Sequence, residues 1–594
     1  MKKTINMNKS LVVLFSMLVL GACQDVLDEV PSDKLSIDRL LNKNTIVNFR
    51  SNSYGDLNNS FNGNSAGQLL EAYTDDAFRA GATATLDWHG GFLTPENNIF
   101  ASSIWSNNWA GIRKTNLALL YLPQSKVSKV LISDAEIARW MDEVKVLRAW
   151  YHFELMRNFG PVPFVDEVYG PDFTGWNDLT RPTYEEISSI LVDELDDVIT
   201  ANRLPLRYTA ASEFDKINMA LAHALKSRIL LYNASALNNT SDDQSKWQRA
   251  ADATQAAITA ISSEYSLVDL SDYADLFNED NLTLNSEIIF RSPSNGTGTL
   301  NNQNGVDLSS LGSATQSDNA GAVPTQELVD SFELTDGTLP VSGYANANHT
   351  SATLNAGYSE NEGDDPYAGR DARFYHAIVY NGANYGRVKG SNSDIFVHTY
   401  EGKPGTGFNN NPTSQENADR RRSTTGYYTR KFRSAGYWGS SAGGTNSYKI
   451  HFRLAELYLN LAEAQAQLGN ISAAISALDV VRERAGQPAI SDVPGFQSNQ
   501  QFLLSRIRNE RRVELCFEGH RFYDQRRWDI LSETNGVVSG MRITSTGGDA
   551  GPFTYIRTHV DVARNATSDK YLVLPIPTEE ARRLTGLGQP AAWQ

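Results

Sequence analysis

The stretch that most limits what this chain can fold into is residues 501–528, QFLLSRIRNERRVELCFEGHRFYDQRRW, which has a helical period yet places charge where a core should be. At about 100° per residue, Leu503, Ile507, Glu510, Glu514, Glu518 and Arg521 fall on one side, so carboxylates share a face with apolar anchors. A freely solvated helix would segregate the two kinds. Glutamates one turn apart repel, so the row requires cations, either its own Arg511, Arg512 and Arg521 or others brought by neighbouring helices. Two readings follow. Glu514 and Glu518 stand near the carboxyl separation of a retaining glycosidase, which makes them a candidate catalytic pair. Alternatively, the row is a half-buried ion network holding helices together.

The first residues specify a compartment. Lys2, Lys3 and Lys9 accompany an apolar run at 11–20, too short to span a bilayer, and Leu20-Gly21-Ala22-Cys23 follows. This pattern is a lipoprotein signal, with residues 1–22 removed and Cys23 acylated at the head of the mature chain. Each buried CH₂ of an acyl chain contributes about 0.8 kcal/mol to anchoring. The one other cysteine, Cys516, then lacks a disulfide partner and is expected as a small core residue. No later apolar run reaches transmembrane length. The net charge of −16 argues against polyanions as partners, whether nucleic acid or an anionic leaflet.

With 594 residues, 41% of them hydrophobic, the chain can bury a large core as one domain or two interleaved ones. Three parts are expected within the mature segment 23–594: a helical part at 23–261, a loop-rich insertion at 262–447 and a second helical part at 448–594. In the first part, helices are predicted at 65–78 and 104–121, with a loop at 81–100 between them that carries Asp87-Trp88-His89-Gly90-Gly91. Capping boxes at Ser133 to Glu136 and Thr183 to Glu186 open two further helices. The alanine-rich stretches 216–234 and 244–261 predict helices that approach closely. The insertion is dominated by Asn, Gly, Ser and Asp, and reads as short strands and helices of the kind that carries binding surfaces on a rigid scaffold. After it, Phe452 to Leu468 and Ile471 to Ala485, separated by Gly469-Asn470, form a helical hairpin of tetratricopeptide type, followed by one helix over 498–528.

Cys23 with its acidic follow-on, the Arg453 to Ala464 helix, Arg508-Asn509-Glu510-Arg511-Arg512-Val513-Glu514-Leu515, Glu518-Gly519-His520-Arg521-Phe522-Tyr523-Asp524, Arg527-Trp528 and the closing Leu574-Pro575-Ile576-Pro577 together resemble the SusD/RagB family of outer-membrane lipoproteins. The resemblance covers essentially the whole mature chain. It implies a mainly α fold, a scaffold of tetratricopeptide-like helix pairs bearing a large irregular insertion. It also implies a lipid-anchored, surface-exposed protein of the outer membrane that captures glycans, or in some branches peptides, without catalysis. Its implied partner is a TonB-dependent barrel transporter of the SusC type.

A glycan site needs flat aromatic faces for the apolar C–H side of a sugar and polar groups for its hydroxyls. Trp88 with Asp87, His89 and Asn97 offers that mixture, and the resemblance implies an aromatic platform contributed partly by this loop. Tyr344, Tyr358, Tyr367 and Trp438 of the insertion are further ligand-binding candidates, whereas Trp105 and Trp109 share a helix's apolar period and are assigned to core. The nine histidines show no HExxH spacing, and GxSxG, Walker and GxGxxG motifs are absent. No cofactor is expected. The acidic turn Asn361-Glu362-Gly363-Asp364-Asp365 is compatible with structural calcium but lacks EF-hand spacing. Three functions remain open: glycan capture, peptide capture, and hydrolysis by Glu514 and Glu518.

Overall fold

A computed structural model describes residues 41–57, 69–277, 285–291, 320–387, 394–416, 419, 421–432 and 449–594. Cys23 and Trp438 lie outside these residues. The described chain is mainly α. After α1 (Lys43–Asn52) and α2 (Thr83–Gly90), the scaffold runs through α3 (Asn107–Tyr121), α4 (Asp134–Phe159), α5 (Tyr184–Ala201), α6 (Met219–Ala234) and α7 (Gln244–Ile261). It resumes in α8 (Leu454–Gln467), α9 (Ile471–Arg484), α10 (Gln500–Glu514) and α11 (His520–Arg527). Each helix from α3 to α7 packs on the next, and α7 packs directly on α8, so one continuous stack is built from two stretches of chain.

Local chemistry explains the helix starts. Thr183 Oγ1 accepts from Glu186 N while the Glu186 carboxylate accepts from Thr183 N, and Ser133 accepts from Glu136 N. Buried Ala220, Ala222, Ala224, Ala250, Ala251 and Ala257 let α6 and α7 approach closely within the main core. Between α7 and α8, the described segments form short elements, including helices at Gln326–Ser331 and Ala372–Ala377. All six sheets among the described residues are two-stranded and antiparallel. The pair Ile288–Arg291 with Ile450–Arg453 brings the start of α8 back onto the first helical part.

Three predicted elements differ. Residues 69–78 are not helical but hold a 3₁₀ turn at Leu70–Tyr73 and a strand at Ala77–Phe78. Thr74 Oγ1 accepts from Asp76 N and breaks the helical pattern, while Arg512 and Arg521 draw Asp75 and Asp76 into the interior. The predicted loop at 81–100 contains α2, because the glycine pair is a helix end: Gly91, at φ 83°, donates to the carbonyls of Asp87 and Trp88. The predicted helix over 498–528 is two helices, broken where Phe517 and Gly519 adopt φ of 62° and 86°.

That break organises the charged row. Arg453, at the start of α8, reaches Glu514 through Nη1 at 2.5 Å and Glu518 through Nη2 at 2.8 Å. Glu514 also pairs with Arg373 at 2.8 Å and with Arg484. Glu510 pairs with Arg373 and Arg482, Glu518 with Lys431, Glu287 with Arg453 and Arg484, and Glu333 with Arg482 and Arg506. With Asp371 on Arg373, six carboxylates meet six cations and the buried cluster is neutral. The cations come mainly from distant segments. Of the helix's own arginines, Arg511 instead binds Asp524, and Arg512 and Arg521 bind Asp75 and Asp76.

Candidate functional site

A cleft of about 620 Å³ beside α3 combines aromatic walls with a polar rim. A π-helical turn at Ala101–Ser106 carries Trp105 and runs into α3, which carries Trp109 one turn later; their rings meet at 5.7 Å. Trp105 is buried against Phe159, whereas Trp109 is half-buried and lines the cleft. Its indole Nε1–H is buried and has no hydrogen-bond acceptor among the described residues. A buried donor without an acceptor is costly, so such a group commonly marks a place where a ligand or water supplies one.

A second wall is the segment Tyr169-Gly170-Pro171-Asp172-Phe173-Thr174-Gly175-Trp176, which lines the cleft through Tyr169 and Trp176. Tyr169 and Phe173 stack at 3.9 Å, and Trp176 stands edge-on to Phe173 at 4.7 Å. The aromatic triad requires Gly175, since a Cβ there would lie 2.7 Å from the Phe173 ring. Trp176 is 41% exposed, a large apolar surface for a residue so well braced. This wall is tied to α3 by Arg113, which donates to Tyr169 O at 3.0 Å. Asn116 adds two bonds, its amide donating to Val165 O and Glu167 O at 2.9 and 3.0 Å. The rim is completed by Leu584 and Leu587 of the C-terminal segment and by the charged Glu167, Arg113, Glu580 and Arg583. Thr585 locks that segment to the wall by donating to Asn177 Oδ1 at 2.7 Å.

The sequence candidates are not brought together. Trp88 is 1% exposed, with its Nε1–H donating to Tyr73 O at 3.0 Å and its ring packed among Tyr73, Phe100, Phe522 and Tyr571. It has no free face for a sugar and is a core residue. His89 is likewise buried, its Nε2 within 2.8 Å of Ala72 O, and burial with the nearby Arg564 holds its pKa well below the ordinary range. Asp87 is half-buried and Asn97 exposed, both remote in role from the aromatic cleft, which neither lines. In the insertion, Tyr358 is buried with its hydroxyl donating to Glu360, and Tyr367 is buried against Tyr380 and Tyr427. Tyr344 is half-buried, stacked on His349 at 3.9 Å, and donates to Asp330 Oδ2 at 2.8 Å. Each of these three tyrosines already spends its hydroxyl within the fold. In the acidic turn, Asp364 accepts from Ser359 and Asp365 from Tyr367 N, so both carboxylates serve the turn itself.

Trp109 was expected in the core with Trp105, since both obey the helical period. Period reports the side of the helix and not whether a neighbour closes over that side. Tyr169, Phe173 and Trp176 satisfy the same rule that singles out Trp88, aromatic rings set among glycines, but they lie in the first helical part, outside the insertion at 262–447.

Glu518 borders a small cavity of about 50 Å³ that Glu514 does not line. Both carboxylates are buried and saturated by cations. Burial would raise the Glu514 pKa, but Arg484, Arg453 and Arg373 outweigh it and hold the group well below the usual carboxylate range. A general acid needs the opposite shift and an approach for substrate.

Stacked helix pairs carrying an irregular insertion, with an aromatic cleft on the flank of the stack, define a helical-repeat binding scaffold. Comparison with known proteins makes the class specific. The SusD family model matches residues 286–593, and a model described as starch-binding associating with outer membrane matches residues 25–231. The chain belongs to the SusD family. SusD-like protein P38 of Formosa agariphila is 23% identical over 91% of this chain and 95% of its own. A crystal structure of a SusD-like protein from Bacteroides fragilis is 24% identical, with a TM-score of 0.76 over 95% of this chain and all of that one. Surface glycan-binding protein A from Bacteroides thetaiotaomicron, solved in complex with laminarihexaose, is 19% identical, with a TM-score of 0.54 over 92% of this chain and 99% of that one. These structures share the fold.

Proposed function

We propose that this protein is a cell-surface lipoprotein that captures oligosaccharides in the aromatic cleft and passes them, uncleaved, to a TonB-dependent transporter of the SusC type. The observation that carries the reading is the cleft itself, where Trp109 and Trp176 offer ring surface and the Trp109 N–H has no acceptor among the described residues. A pyranose stacks its C–H face on an indole while its hydroxyls reach the N–H and the rim groups Glu167, Arg113, Glu580 and Arg583. Membership of the SusD family supports the ligand class, and a surface glycan-binding protein of the same fold was solved with laminarihexaose. The sealed state of Glu514 and Glu518 supports capture without hydrolysis.

The test is calorimetry against a panel of oligosaccharides beginning with laminarihexaose. Trp176→Ala is expected to weaken binding by about 0.5–1.5 kcal/mol, up to roughly tenfold in Kd, without changing the melting temperature. Unchanged affinity for a bound glycan would remove the cleft from the site, and binding of peptides alone would assign the protein to the peptide-capturing branch.

Anchoring is carried by the Leu20-Gly21-Ala22-Cys23 pattern, and among the described residues no helix is long and apolar enough to cross a membrane. Cys23→Ala should remove the protein from the outer-membrane fraction on fractionation of cells. Retention there would end the anchor.

A further inference from the structure

The loop joining α3 to α4 carries apolar side chains that no part of the described fold covers. Val130 is 94% exposed and Leu131 57%, and Leu120, at the same end of the helix pair, is also exposed. These are not the loose ends of a floppy segment. Leu131 N and Ile132 N both donate to Ser128 O, at 2.8 and 3.1 Å, and Val127 N donates to Ser125 Oγ at 3.3 Å. Val127 and Ile132, on either side, are buried in a small cluster with Ile46, Leu122, Ile137 and Trp140. The loop therefore has a fastened base and a tip that presents two branched aliphatic residues to the outside.

Two further facts select what the tip meets. The first is where the chain enters the fold. Leu41, the first described residue, is buried in that same cluster with Val127 and Ile132. The segment between Cys23 and Leu41 can span at most about 60 Å. An acylated Cys23 thus keeps this end of the molecule within that reach of the leaflet. The second is local charge. The chain as a whole is acidic, but in this loop Lys126 and Lys129 come before the first carboxylates, Asp134 and Glu136 in the first turn of α4. Lys126 and Lys129 are exposed, and Lys129 pairs with Asp134 at the start of α4.

We propose that the tip of this loop rests on the lipid bilayer beside the acyl anchor, with Val130 and Leu131 entering the apolar boundary and Lys126 and Lys129 at the level of the headgroup phosphates. The inference rests on the anchor reading for Cys23, and it gives the anchored protein a second, weaker contact that fixes its orientation. An acyl tether alone leaves the body free to rotate; a tether and an apolar tip at one end define which end faces the membrane. Two weak attachments a short distance apart also reinforce each other through effective concentration.

The test uses the mature chain from Gln24, which lacks only the acylated residue, so it reads the tip independently of the anchor. Cosedimentation with vesicles of phosphatidylethanolamine and phosphatidylglycerol should show weak binding that the double variant Val130→Asp/Leu131→Asp lowers by about tenfold or more. Both positions are exposed, so the variant should melt with the wild type. In a second arm, Val130→Cys is labelled with an environment-sensitive fluorophore; Cys516 does not compete, being buried with its thiol pushed up to about 12. A blue shift on adding vesicles is expected. Equal sedimentation of the double variant, or a label that stays in water, overturns the proposal. So does a double variant that binds vesicles normally but loses the transporter, since the tip would then be a protein interface. Failure of the anchor is read separately, by Cys23→Ala remaining in the outer-membrane fraction.

Discussion

Glu514→Ala is expected to cost about 3–5 kcal/mol of folding stability, measured as a fall in the urea midpoint followed by tryptophan fluorescence. The magnitude follows from what remains. Arg453, Arg373 and Arg484 converge on this one carboxylate, and all three side chains are almost fully buried. Removing it leaves a positively charged cluster in low dielectric with no water to compensate. Exposed ion pairs such as Arg582 with Glu579 contribute far less, because solvent screens them. Glu514→Gln keeps the shape but not the charge and should recover little of the loss. Oligosaccharide affinity of the folded fraction should be unchanged, because Glu514 does not line the aromatic cleft. A variant that unfolds at the wild-type urea concentration would show that the network is not structural.

The same network sets an acid limit. Glu510, Glu514 and Glu518 are pushed upward by burial but held below their ordinary value of 4.5 by the surrounding cations, and Asp75 is held at about 2 by Arg512 and Arg521 against its burial. A depressed folded pKa gives stability that is present above the unfolded value and lost as pH falls toward the folded one. Stability should therefore drop steeply below about pH 4.5, and less steeply in Glu514→Ala. Glu71 acts in the opposite sense: burial lifts it to about 7, so its contribution favours the fold at low pH and is lost as pH rises toward 7.

Trp88→Ala is expected to be comparably damaging, at about 3–5 kcal/mol, by leaving a cavity in the core. The indole joins parts of the chain that are far apart in sequence: Tyr73 and Phe100 from its own region, Phe522 from α11 and Tyr571 from the C-terminal segment. It also faces Arg526, which is buried, stacks on Phe522 at 3.6 Å and is lowered to about 9 by that burial. Loss of the indole takes away one of the two rings that stabilise this guanidinium. The decisive contrast is with Trp176→Ala. Trp88→Ala should lower the melting temperature and leave the Kd of the folded protein alone, and Trp176→Ala should do the reverse. Loss of glycan affinity with full stability in Trp88→Ala would return that residue to a binding role.

The difference between these two tryptophans shows how far a sequence reaches. Both sit beside glycines, and the composition around them is alike. In one case the glycine pair ends a helix that turns the indole inward under α11. In the other, Gly175 lets Phe173 brace an indole that stays 41% exposed. Which rings are covered depends on segments hundreds of positions away, and no local pattern encodes that. The charged row behaves likewise. Its periodicity showed that carboxylates face the core and that cations must meet them. That the cations are Arg373, Lys431, Arg453, Arg482 and Arg484, more than the helix's own arginines, follows only from the packing of α8, α9 and the insertion around α10.

By itself, then, the sequence determined the mainly α scaffold, its capping boxes and helical hairpin, and the SusD resemblance that the family comparison established, because periodicity, caps and close-packing alanines act between residues a few positions apart. Only the tertiary structure decided that Glu514 and Glu518 belong to a buried, neutral network, that Trp88 is core, and that Trp109 and Trp176 line one cleft. Burial and charge compensation are properties of surfaces brought together from distant segments, and they exist only once the chain has folded.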